Sequence, residues 1–118
     1  MTTEEMTEKI IEFVQGYQPA SLVELIRYLG EEAQGEMMMH LPNRPNIILW
    51  MGVSDAFINA FIAAKREVFL DTTHFMIYAM DGGVLRLPIA KRFGKTDYKK
   101  PHWLPVVLSI KRDKEKAA

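Results

Sequence analysis

Residues 54–89, SDAFINAFIAAKREVFLDTTHFMIYAMDGGVLRLPI, change hydrophobic period partway along, and that change decides the fold. In the first half, Phe57, Phe61, Ala64 and Val68 recur at helical spacing and define one buried face, with Ile58 beside it. Ser54 is the residue type that caps a helix N-terminus, and Asp55 suits the positive end of the helix dipole. The spacing predicts a helix that opens at Ser54 and ends near residues 67–70. Asp55, Asn59, Ile62 and Arg66 fall on the opposite side. From residue 74 the period becomes two: Phe75, Ile77 and Ala79 alternate with Met76, Tyr78 and Met80. Asp81-Gly82-Gly83 then separates this run from VLRLPI. Glycines supply positive φ at little steric cost, so a hairpin is expected over 74–91. Pro88 cannot donate to a ladder and marks an edge or a strand end.

Towards the N-terminus, residues 3–15 read as an amphipathic helix. Thr2 and Glu5 have capping-box spacing, Thr3 is an alternative cap, and Met6, Ile10, Phe13, Val14 and Tyr17 form the expected stripe. Ser21 opens a second helix, with Glu24 completing another box. Its buried face is Leu22, Leu25, Ile26 and Leu29, and Gly30 stands where a helix C-terminus takes glycine. Between Gly30 and Ser54 the pattern weakens. Part of residues 31–40 is expected to extend the second helix or form a short extra one, because so long a loop is unusual inside a compact domain. LPNRPN (41–46) reads as a loop, and Ile47-Ile48-Leu49-Trp50 as a short buried strand. Towards the C-terminus, 90–101 reads as a basic surface loop, 106–110 as a last strand and KRDKEKAA as a solvated tail.

The chain has 118 residues, 48% apolar and 25% charged, which is the balance of one globular domain. It has no cysteine, so disulfides, thiolate metal sites and cysteine nucleophiles are excluded. No apolar run approaches a membrane span, and the acidic start MTTEEMTEKI is unlike a secretory leader. A cytoplasmic location is expected. The net charge of zero is a cancellation: residues 1–83 carry five Lys/Arg against twelve Asp/Glu, and residues 84–118 carry ten against three. Such asymmetry reads as a basic segment facing an anionic partner, or as one lying across acidic helices of its own fold or of a second copy.

Three helices followed by a Gly-tipped hairpin resemble a winged helix-turn-helix domain. The resemblance is closest over 54–89, where a Ser-capped helix runs through EVFL into an alternating strand, then DGG, then VLRLPIA. LVELIRYLG (22–30) looks like the helix that supports it. The sequence departs from that pattern in the 24 residues, 30–53, that stand where a short turn is usual. The run 47–50 is expected to give the sheet its third strand. The fold class is therefore α+β, with residues 1–90 as a winged-helix-like core and 91–118 as a basic extension with a short strand in the same domain.

The resemblance implies a non-catalytic nucleic-acid-binding domain of a bacterial or phage-type transcription regulator. The third helix would enter the major groove of double-stranded DNA, with Ser54, Asn59 and Arg66 reaching it. Arg86, Lys91, Arg92 and Lys95 would hold phosphates from the hairpin side, beside Lys99 and Lys100. Phe93, Tyr98, His102 and Trp103 are aromatics that either stack on bases or pack back onto the core. The alternative is a protein-interaction or dimerisation module, with Ile62, the triplet Met37, Met38 and Met39, and residues 103–110 as the contact. Ile62 on the outward face suits that reading at least as well as DNA.

Other chemistry has little support. His40, His74 and His102 are far apart, whereas zinc needs three or four converging ligands, so no metal or cofactor is expected. No phosphate-cradling glycine loop, G-x-S-x-G or H-E-x-x-H occurs, so no catalytic residues are expected. Ser54 is explained by capping before nucleophilic chemistry.

Overall fold

The computed structural model describes residues 1–72, 86–91 and 97–112. It has an α+β fold of three α-helices and two small three-stranded sheets among the described residues. The hairpin expected over 74–91 lies outside them as far as residue 85.

Helix α1, Thr3–Gly16, is capped by the Thr2 hydroxyl, which accepts from the Glu5 N–H. Met6, Ile10 and Val14 are fully buried. Thr7 and Ile11 are also buried, while Tyr17 lies outside the helix and is exposed. The buried stripe is thus turned by part of a residue from the expected one. Phe13 is half-buried and stacks its ring on Tyr28 at 4.6 Å. After the short strand β1, Ala20–Ser21, helix α2 spans Leu22–Leu29. Ser21 and Glu24 close the full capping box, and Gly30 follows with a positive φ of 78°.

The segment between α2 and α3 is where the sequence reading most needs correction. A 3₁₀ turn, Gly30–Ala33, supplies the short extra helix, but Met37–Met39 do not continue it. They belong to β2, Gln34–Leu41, which pairs antiparallel with β3, Arg44–Val53. The expected loop LPNRPN contracts to the turn Pro42-Asn43, where Asn43 takes a φ of 63°. Proline followed by a positive-φ asparagine fits the two central positions of a tight turn. Repeated register shifts along the pair explain why β2 shows no alternation. Gly35 sits against the end of this hairpin: a Cβ there would stand 2.8 Å from both Ser54 Cα and Val53 O.

Helix α3, Asp55–Ala64, ends earlier than expected. Val68 is buried as the wheel required, but as the first residue of β4, Val68–Asp71. Val-Phe-Leu is strand-favouring sequence, and antiparallel pairing with β6, Val107–Ile110, decides the matter. Sheet one has the order β1-β6-β4, all antiparallel. Sheet two has the order β2-β3-β5, where β5, His102–Trp103, runs parallel to β3. The run 47–50 therefore belongs to the second sheet, not to the sheet containing β4. The segment after residue 90 is no appendage, since β6 lies between β1 and β4.

The core joins both sheets to the helices. Ile10, Leu25, Ile47, Val53, Phe57 and Leu108 have no exposed surface. Burying a side chain of this size contributes about 1.5–3 kcal/mol relative to leaving it in water. Trp103 is 2% exposed, and its Nε1–H donates to the Leu49 carbonyl at 3.1 Å. Trp50 meets it edge-on at 6.3 Å.

Candidate binding surface

Helix α3 divides the surface around it. Its N-terminus is fixed by Ser54, whose hydroxyl accepts from the Phe57 N–H at 3.1 Å and donates to the Glu32 carbonyl at 2.7 Å. The hydroxyl thus donates one hydrogen bond and accepts another within the fold, which makes Ser54 a structural cap. Phe57, Ala60, Phe61 and Ala64 face the core, and Asp55, Asn59, Ile62 and Arg66 face outward as the wheel required.

One flank of α3 belongs to α1. The Thr7 hydroxyl lies 3.5 Å from the Ala60 carbonyl, and Arg66 pairs with Glu8 at 2.8 Å. Glu4, Glu5, Glu8 and Glu12 are all exposed on α1. The cation expected to meet a phosphate therefore already faces a carboxylate, on the most acidic of the described helices. Lys111 lies near the far end of α3, with its N–H donating to the Glu67 carbonyl at 2.8 Å, next in sequence to Arg112. Cations at a helix C-terminus are favoured by the dipole alone.

The other expected cations lie elsewhere. Arg86 is exposed, with a positive φ of 55°, and Lys91 is exposed; Arg92 and Lys95 lie outside the described residues. Residues 88–90 run beside Trp103, through Ala90 N–H to Trp103 O at 2.7 Å and Trp103 N–H to Pro88 O at 2.8 Å. Lys99 and Lys100 are exposed just before β5. This basic segment thus follows the β5 edge of sheet two, with β3 between it and β2, the strand of that sheet that packs on α3. Among the described residues, Arg86, Lys91, Lys99 and Lys100 thus belong to the β5 side of sheet two, whereas Asn59 and Arg66 belong to α3 and the turn after it.

The aromatics of the segment split. Trp103 is interior, and cannot be a stacking platform. Tyr98 and His102 stack at 3.7 Å on the surface, and His102 Nδ1 lies 2.8 Å from the Lys100 carbonyl. Asn46 ties this region to β3, its Nδ2 donating to the Tyr98 carbonyl at 2.6 Å and its N–H donating to the Asp97 carboxylate. Residues 103–110 are likewise mostly interior: Leu104, Val106, Val107 and Leu108 are buried in the chain's own core, so this segment is not an outward contact. No group of three or more His, Asp or Glu side chains converges among the described residues. Nor is any helix of the described residues long and apolar enough to cross a membrane.

The remaining flank of α3 is different. Ile58, Phe61, Ile62 and Lys65 face Met38, Met39, His40 and Leu41 of β2 across an open groove of about 290 Å³, closed below by Leu49 and Leu70. Ile62 is 60% exposed and Met38 43% exposed at its lips. Sequence reading marked Ile62 and the methionines separately. It missed Lys65 and Leu70, and weighed His40 only as a metal ligand, because their meeting depends on the β2–β3 hairpin that the sequence concealed. No protein-family model matches the chain, and neither a curated protein nor a solved structure does.

Proposed function

We propose that the chain is a non-catalytic binding module on a winged-helix-like scaffold, and that it contacts a protein partner through the groove between α3 and β2. The part of the order that supports the scaffold is α1, β1, α2, α3, β4 and β6, with β6 lying between β1 and β4; the β2–β3 pair and β5, which form the second sheet, are additions to it. The β2–β3 hairpin fills the place of the usual turn. Fold alone does not choose a ligand. The observation that carries the choice is the groove itself: a row of α3 side chains, Ile58, Ile62 and Lys65, left facing Met38 across an apolar trough. Methionines are soft and adaptable, and are over-used on surfaces that take partner side chains.

Nucleic-acid contact is a second reading, favoured by exposed Arg86, Lys91, Lys99 and Lys100 along the β5 edge. It shifts the anion away from α3, where Glu8 stands beside Arg66. One experiment separates the two. A photoreactive benzophenone residue is placed at position 62, at 59 or at 91, and the chain is irradiated in the cells it comes from. The protein-contact reading expects a discrete protein adduct from position 62. Adducts to nucleic acid from position 91, with none to protein from 62, would overturn it in favour of the second.

A further inference from the structure

We infer that the groove receives an acidic amphipathic segment of another protein, with apolar side chains in the trough and a carboxylate at its rim. The inference rests on the reading of the groove as a protein contact and adds the chemistry of the partner. Among the described residues, eleven line the groove, of which His40 and Lys65 are the ionisable ones, both basic types, and none is acidic. The acids of α1 lie on the other flank of α3, where Glu8 meets Arg66, so Lys65 is not their partner in the structure.

Size and charge together narrow the occupant. A volume of about 290 Å³ lies at the lower limit for a small-molecule pocket, but suits a few anchoring side chains of a longer segment. Amphipathic helices dock in this way, with anchors at i, i+3 or i+4 laid into an apolar groove. Ile58, Ile62 and Lys65 themselves repeat at i, i+4 and i+7, so the wall offers two apolar positions and then a cation. A complementary segment presents two apolar side chains and then Asp or Glu. A second copy docked groove to groove would bring a Lys65 from each rim with no carboxylate of the described lining to meet it. Residues 111–118, KRDKEKAA, carry four cations against two anions and are of the wrong net sign for the same reason.

The test is a selection of random twelve-residue peptides displayed on phage against the whole chain, with Ile62→Asp as the counter-selection. Ile62 is exposed, so its replacement leaves the core intact. Selected sequences should converge on two apolar residues followed by Asp or Glu. Synthetic copies should lose binding to Ile62→Asp and weaken by at least about fivefold on Lys65→Glu, with less effect as salt rises. Ile62-dependent peptides that are neutral or basic would overturn the acidic partner while leaving the groove as a protein contact. Peptides indifferent to Ile62→Asp, or no enriched peptides, would overturn both.

Discussion

Ser54 holds two hydrogen bonds at once, one capping α3 and one fastening it to the carbonyl of Glu32 in the 3₁₀ turn. Ser54→Ala should lower stability by about 1 kcal/mol for the cap, and by somewhat more if the Glu32 carbonyl is left dry, read as a fall in the urea midpoint. Arg66→Ala, which breaks an exposed pair with Glu8, should change stability by less than about 1 kcal/mol. Gly35→Ala is the more costly change, because the added methyl meets backbone at 2.8 Å, and backbone cannot step aside as a side-chain tip can. Overpacking of this kind costs about 1–3 kcal/mol. Glu24 adds a pH term. Partial burial pushes its carboxyl up, but hydrogen bonds from Tyr17 and Ser21 outweigh this and hold it below the usual glutamate value of 4.5. The same bond raises the Tyr17 hydroxyl. A carboxyl depressed in the folded state gives stability that is present above its unfolded pKa and is lost as pH falls through the folded one. Acid unfolding of the wild type should therefore be steeper below about pH 4.5 than that of Glu24→Gln, followed by circular dichroism.

At the level of elements, the helices were legible because their signals are local. Thr2, Ser21 and Ser54 each cap the helix they announce. The β2–β3 hairpin was not legible, for two physical reasons. Bulges between Met37 and Leu41 break the two-residue alternation that identifies a strand, and the turn is made by Pro-Asn within what reads as a longer loop. Missing the hairpin meant missing half of the groove, although Ile62 and Met38 were each marked on their own. Arg66 shows a different limit. The wheel placed it outward, but Glu8 lies 58 residues earlier, and no local pattern reports such a partner. Trp103 likewise sits in a basic, polar neighbourhood in sequence, yet is interior because β5 pairs with Ile47 and Ile48. Trp103→Phe, which keeps a ring but strands the Leu49 carbonyl, should cost about 1–3 kcal/mol in denaturant titration, and Trp103→Ala about 3–5.

For the whole molecule, the balance of fifteen cations and fifteen anions sets the long-range field. With no net charge to draw in a polyanion, duplex binding would need a local basic face, and the described candidate is the β5 edge. Fluorescence anisotropy should then show at most weak, salt-sensitive retention of duplex DNA. If Arg86 and Lys91 do touch phosphates, replacing both by alanine should flatten the log–log salt slope by about 1.8, or 0.9 for each contact. The order of the strands has a different consequence. The middle strand of sheet one is β6, the last of the described strands, while β3 of sheet two awaits β5 across some fifty residues. Neither layer can close over the helices until residues 102–110 have emerged from the ribosome. Folding during synthesis should stall as a helical, unsealed intermediate and finish in one late step, so a ribosome paused before that point would hold a chain that proteases cut readily.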